Sequence, residues 1–369
     1  MAGIYIHIPF CRQACHYCNF HFATSLRYKN EMVAALLKET GDRQDYIQDE
    51  EVETIYFGGG TPSLLPAEDI SIQAELFRKL FTIAADAEWT LEANPDDITE
   101  EKLLQWKAAG INRLSIGVQS FFEEDLAWMN RAHTASQAIH NLQLAREHFD
   151  NISIDLIYGT PQMTASKWES NIEKAISLQI PHLSCYALTV EPKTPLFKMI
   201  EEHRSPNTDP EKQSEQFMVL MQSLEAAGYE HYEISNFAKP GFRSRHNSSY
   251  WQGKKYLGIG PSAHSYDGTS RQWNVANNSR YIDAVNIGII AYEKEELTPT
   301  QKINEQIMIS LRTMEGIALD KFDESSRNQL KTVSRKFIEN GLLLETNNSL
   351  VLTNEGKLLA DGIAASMFF

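Results

Sequence analysis

The sequence predicts an α/β protein: an open, partial TIM-type β/α barrel of about six units, followed by a small C-terminal winged-helix-like α+β domain. Three observations carry this reading. Short apolar runs alternate with longer amphipathic stretches from the first residues to about position 190. Six such units fall short of the eight that close a barrel. After Pro299 the composition changes, to two helical stretches and a short hairpin.

The apolar runs are Ile4–Phe10, Thr54–Phe57, Trp89–Ala93, Arg113–Val118, Ile152–Tyr158 and His182–Val190. Their Ile, Val, Leu, Tyr and Phe content, without polar alternation, suits parallel strands covered on both faces. Between them lie helical segments. Thr99 is suited to cap one, with Glu100 and Glu101 in its first turn and Gly110 to stop it. Alternating strands and helices imply a parallel sheet. From about 191 to 212, Pro192, Pro195, Pro206 and Pro210 punctuate a polar stretch that reads as loop. Pro210 then opens a helix over 211–227, stopped by Gly228. Residues 236–280, rich in Gly, Asn, Ser and aromatics, show little periodicity. Helices are expected over 301–315 and 327–340, and a hairpin over 342–353 around Asn347-Asn348. The expected divisions are a barrel over 1–235, an irregular connecting and cofactor-covering region over 236–299, and a small helical domain over 300–369.

The chain has 369 residues and a net charge of −15. With 42% hydrophobic and 22% charged residues it is neither disordered nor fibrous. No apolar run is long enough to span a bilayer. The first residues lack the basic n-region and the cleavage site of an export signal, so a cytoplasmic location is expected. The acidic balance argues against nucleic acid as a partner, since phosphate neutralisation needs a basic surface. Residues 300–369 hold 8 basic and 9 acidic side chains, so the winged-helix-like domain is not expected to read DNA. Arg327, Lys331 and Arg335 share a helix face there, read as a solvated face.

Cys11, Cys15 and Cys18 form a C-x3-C-x2-C cluster directly after the first apolar run. Thiolates this close converge on a soft metal centre. A structural zinc or an ordinary 4Fe–4S cluster takes four protein ligands. Three cysteines leave one iron open to a small molecule. A zinc site completed by His7, His16 or His21 is the competing reading. Cys185, in the sixth run, reads as a small buried hydrophobe rather than a fourth ligand.

This motif resembles the signature of the radical S-adenosylmethionine enzymes. Further stretches extend the resemblance along nearly the whole chain, to the oxygen-independent coproporphyrinogen III oxidase-like family. They are Ile4-Tyr-Ile-His-Ile-Pro-Phe-Cys11, Gly58-Gly-Gly-Thr-Pro-Ser63, Asn112 to Phe121, Ile154-Asp-Leu-Ile-Tyr-Gly159 and Tyr256-Leu-Gly-Ile-Gly-Pro-Ser-Ala-His264. The C-terminal appendage also looks like that family's small domain. The resemblance implies a 4Fe–4S cluster on Cys11, Cys15 and Cys18, with S-adenosylmethionine chelating the open iron. It implies that an electron from the cluster breaks the ligand's S–C5′ bond. A one-electron donor, flavodoxin or ferredoxin, is then a partner.

Residues matching the family's S-adenosylmethionine contacts are Tyr5, Tyr17, Gly59, Gly60, Thr61, Glu92, Gln119, Arg131, Asp155 and Ala187. Taken alone, Gly58 to Thr61 reads as a tight strand-to-helix turn. Glu92 and Gln119 end apolar runs, Asp155 lies inside one, and Arg131 is expected in the helix after the fourth. Singly, each is equally an internal hydrogen bond or ion pair. Tyr5 reads equally as a packing aromatic.

Two departures separate the chain from the true oxidase. That enzyme carries a further cysteine two positions after the third ligand, where this chain has Phe20. It also has an extension before the motif, where only ten residues precede Cys11. Both match instead the HemW-type heme chaperones, as does His246-Asn247-Ser-Ser-Tyr250-Trp251. The resemblance to that subgroup implies heme, or a related porphyrin, as ligand and a heme-acceptor protein as partner, respiratory enzymes being the family expectation. His246, Asn247, Tyr250 and Trp251 are the candidate heme contacts. Tyr250 and other histidines are alternatives to His246 as axial ligand, and the segment alone reads as a packed loop. The axial ligand and any peripheral membrane contact stay open from the sequence. The alternative function is an oxygen-independent coproporphyrinogen III dehydrogenase.

Overall fold

The computed structural model describes residues 1–48 and 50–369. Six strands lie side by side in chain order and all parallel: β1 (Ala2–Ile8), β2 (Val52–Gly59), β3 (Ile83–Ala93), β4 (Arg113–Gln119), β5 (Asn151–Tyr158) and β6 (His182–Ala187). Their buried Ile, Leu and Val side chains pack under the intervening helices, as crossover connections require.

The sheet runs on past both edges. A hairpin of β7 (Glu230–Glu233) and β8 (Asn236–Ala238) pairs antiparallel with β6. On the other side β9 (Lys255–Ile259) is parallel to β1. Then β10 (His264–Tyr266), β11 (Ser270–Asn274) and β12 (Tyr292–Glu296) follow antiparallel. The order ends at β12 and β7, so this twelve-stranded sheet is open rather than closed into a barrel.

Two stretches read from the sequence as irregular are therefore ordered elements. Residues 236–280 hold β8 to β11 and the helix Arg245–Trp251. Strands of three to five residues are too short to show a period. The proline-punctuated stretch 191–212 holds the helix Pro195–Glu201, because Thr194 caps it and Pro195 opens it.

Local signals read from the sequence recur at other ends. Thr99 accepts from Lys102 N at 3.3 Å, and Gly110 closes that helix at φ 99°. Beyond Arg312, β13 (Ile317–Ala318), β14 (Leu343–Thr346) and β15 (Ser349–Leu352) form a second sheet, in the order β13-β15-β14. Asn347 and Asn348 have φ of 49° and 63°, the left-handed pair that a two-residue hairpin turn demands. Ile307, Leu311, Leu330, Leu350 and Ile363 form a separate apolar cluster in this part. Its junction with the barrel includes backbone bonds from Ile234 N to Arg312 O and from Met314 N to Tyr232 O. Among the described residues no helix is long and apolar enough to cross a membrane.

Candidate functional site

The cysteine loop leaves the C-terminal end of β1 and is tied at several points. Cys11 N donates to Ala23 O at 3.0 Å, and Ala23 N to Pro9 O at 2.9 Å. His16 N donates to Met129 O at 3.1 Å, and Asn130 Nδ2 to Ala14 O at 2.7 Å. Backbone ties of this kind fix where the thiols stand before any ligand arrives.

All three cysteines line one cavity of about 860 Å³ at the C-terminal ends of the parallel strands. Thr61 Oγ1 donates to Cys11 Sγ at 3.6 Å, and Arg131 Nη1 to Cys15 Sγ at 3.3 Å. Burial pushes the Cys11 thiol up to about 11 and also raises that of Cys18. Those thiols stay protonated at neutral pH unless a cationic centre ionises them. Cys185 lies elsewhere, buried in β6, with burial raising its thiol further still. Three convergent thiols, no fourth cysteine on the wall and an arginine against one sulfur fit a 4Fe–4S cluster with one open iron. His7, His16 and His21 line no part of this cavity. Among the described residues no three His, Cys, Asp or Glu converge tightly enough to hold a single metal ion.

The glycine loop brings Thr61 to Cys11. Gly59 sits at φ 111°, where a side chain is strained. A Cβ on Gly60 would lie 2.5 Å from Phe10 O, so only glycine lets this loop close on β1. Glu92, at the end of β3, accepts from Gly59 N at 3.0 Å and from Tyr56 OH at 2.8 Å. Burial first, with Asp155 nearby, pushes its carboxyl up to about 7. Burial likewise lifts Asp155 to about 6, against the pull of Ser184 and of Arg113.

Arg131 lies outside any helix, in the link between the helices Glu123–Trp128 and Ala135–His148, and not in the helix after β4 as the sequence suggested. The reason is local: Asn130 adopts φ 59°, which ends the first helix. From the link Arg131 Nη2 donates to Asn94 Oδ1 and to Gly117 O, both at 2.7 Å. Gln119 adopts φ 69°, beside a register shift in the pairing of β4 with β5. A bulge with a strained non-glycine residue re-aims a side chain at the edge of a site.

The cavity collects Tyr17, Gly59, Gly60, Thr61, Glu92, Gln119, Arg131, Asp155, Ala187 and Asn247 along with the cysteines. Tyr5 is not among them. Its ring stacks near Tyr56 at 6.0 Å, its hydroxyl meets His7 Nδ1 at 3.2 Å, and it lines a second cavity. That cavity, of about 950 Å³, also takes Tyr250 and Trp251. It shares Asn19, Phe20, Gly59 and Glu92 with the first.

His246 lines neither cavity. It is buried, with Nδ1 on Thr54 Oγ1 and Nε2 on Tyr250 OH, each at 2.8 Å. Burial keeps its imidazole neutral, at about 3. The structure thus places His246 as a packed strut between β2 and its own helix, with both ring nitrogens engaged.

Sequence reasoning missed Asn94, Tyr56, Arg113 and the segment Leu358–Gly362, all on the first cavity's wall. Asn94 follows the end of β3 and satisfies the same polar-strand-end criterion that picked out Glu92. Arg113 begins β4 and is 1% exposed, a placement that no sequence period marks.

Residues 5–175 match the radical SAM superfamily, and residues 297–359 the HemN C-terminal domain. A Bacillus subtilis protein named heme chaperone HemW is 36% identical over 98% of this chain and 98% of its own length. A Mycobacterium tuberculosis protein of the same name is 32% identical over 99% and 94%. The solved coproporphyrinogen III oxidase from Escherichia coli, described as a radical SAM enzyme, covers 100% of this chain and 90% of its own, with TM-score 0.86 and 24% identity. That likeness shows the fold. By its full-length relatives, the chain belongs to the radical S-adenosylmethionine superfamily and, within it, to the HemN-like family and its HemW subgroup.

Proposed function

We propose that this chain is a heme-binding chaperone built on a radical S-adenosylmethionine core, which hands heme to an acceptor protein. The observation that carries this is its match to chaperone-named relatives along 98% of its length. Phe20 supports it. Phe20 is 70% exposed at the wall between the cavities, in the place where the oxidase family carries a further cysteine.

Family membership brings a 4Fe–4S cluster and S-adenosylmethionine to the site. Cys11, Cys15 and Cys18 would hold the cluster, which supplies one-electron reduction of the S-adenosylmethionine sulfonium when both are bound. Around it, the residues bind and orient. Thr61 and Arg131 place hydrogen-bond donors on two cysteine sulfurs. Arg131, whose Nε has no partner among the described residues, adds the positive charge that favours thiolates. Glu92 holds the glycine loop through Gly59 N and offers a carboxylate to a ligand amine or hydroxyl. Asp155 adds a second buried carboxylate on the same wall. The segment Leu358–Gly362 forms part of the cavity wall. A flavodoxin or ferredoxin is the electron donor this core calls for, and a respiratory enzyme the acceptor.

The test is an anaerobic assay of the reconstituted protein with heme and coproporphyrinogen III together. A stoichiometric Soret band without decarboxylated product is the expected result. Conversion of coproporphyrinogen III to protoporphyrinogen IX, with S-adenosylmethionine consumed, would replace the chaperone reading by the dehydrogenase.

A further inference from the structure

We propose that heme docks in the second cavity and that His264 supplies its iron ligand, an assignment that rests on the chaperone reading above. The cavity's volume of about 950 Å³ lies in the range of cofactor-sized sites. Its wall carries Tyr5, Tyr250, Trp251, Tyr256 and Tyr266, flat apolar surface of the kind a macrocycle stacks on.

Three histidines line it: His7, His21 and His264. Both ring nitrogens of His7 are engaged, on Tyr5 OH and His21 O. His21 has Nε2 on Asn278 Oδ1 at 2.7 Å. His264 is exposed, and among the described residues neither of its ring nitrogens has a hydrogen-bond partner. Its ring stacks against Trp273 at 6.0 Å, which limits its rotation. An unbonded neutral imidazole has a lone pair to give to iron.

The fold presents this side chain by design of one turn. Gly260, at φ 104°, and Ser262, at φ 63°, reverse the chain between β9 and β10. A Cβ on Gly258 would lie 2.0 Å from His264 O, so glycine there lets β10 fold back tightly. Glu39, fully buried, clamps the turn by accepting from Gly260 N at 2.8 Å and from Asn274 Nδ2 at 2.7 Å. A non-glycine residue with positive φ beside a cavity is strain of the type that accompanies binding sites.

Charge on the wall fits the carboxylate side chains of a porphyrin. Lys302 and Lys321 are exposed on it, facing no carboxylate within ion-pair distance among the described residues. Arg271 is paired with Glu305 at 3.0 Å, and Glu92 lies on the far wall, shared with the cluster cavity.

The experiment is heme titration into the full chain carrying its iron–sulfur cluster, following Soret position and Kd. His264→Ala should shift the Soret band and weaken binding about tenfold or more, with the cluster's absorbance unchanged. Lys302→Glu, an exposed change, should weaken binding while leaving the band where it was. An unaltered band and affinity in His264→Ala would overturn the assignment. Were that variant to lose its cluster, Lys302→Glu decides: unchanged affinity overturns the site. Absence of a Soret band in the unsubstituted protein would remove the chaperone reading itself, and this site with it.

Discussion

The two cavities share a wall and are built in opposite ways. The cluster cavity is lined by polar groups already bonded to one another: Arg131 to Cys15, Asn94 and Gly117, Glu92 to Tyr56 and Gly59, Thr61 to Cys11. The second carries six aromatic side chains among polar and charged ones, and its exposed histidine is unbonded. Under the proposed function, the first would hold a cofactor in one geometry and the second would receive and release cargo. Preorganised donors give precision, and flat apolar walls give affinity without demanding one pose.

The contrast breaks most sharply at the thiols. Cys11→Ser, Cys15→Ser or Cys18→Ser should each abolish the broad iron–sulfur absorbance of anaerobically reconstituted protein, while Cys185→Ser should leave it intact. Loss of the cluster in Cys185→Ser would mean that the cavity has a fourth ligand. Next in size is Glu39, which braces the second cavity from behind. Glu39→Ala leaves Arg43, buried at 3.5 Å from it, without its carboxylate and should cost about 3–5 kcal/mol in urea unfolding. A loss below about 1 kcal/mol would show that the turn at Gly260 holds itself.

The smallest effect is a pH profile. The Glu92 carboxyl stands at about 7 in the folded chain against an ordinary 4.5. The folded state therefore keeps a proton that the unfolded chain loses. Its contribution is full below pH 4.5 and is lost as pH rises through about 7. Asp155, raised to about 6 from 3.8, acts in the same direction at lower pH. Glu92→Gln should flatten the profile of the ligand-free chain by about 2 kcal/mol, read from urea midpoints at about pH 5 and about pH 8. An unchanged profile would assign the slope to other groups.

The parallel core was legible because each of its six strands holds a short, mostly apolar run, and the thiol group on the cavity wall because its three cysteines are close in sequence. Thr99, Gly110 and Asn347-Asn348 were legible because capping and hairpin turns are local chemistry. What escaped was set by tertiary pairing. The strands β8 to β11 carry no period of their own and form because β1 and β6 offer them an edge. His246 looked like a ligand because its segment is rich in aromatics and polar groups. Only the fold shows that Thr54, from a strand 192 residues away, occupies one of its nitrogens. Arg131 was placed in a helix from its spacing and lies outside one, since Asn130's backbone breaks the helical pattern that sequence spacing suggests.

Asn19, Phe20, Gly59 and Glu92 face both cavities. Such a partition makes the two occupants thermodynamically answerable to each other. By whatever factor a ligand on one side alters affinity on the other, the reverse effect has the same factor. Under the proposed function, the sulfonium ligand would regulate cargo release, and cargo how tightly that ligand is held, through one exposed phenylalanine and one carboxylate.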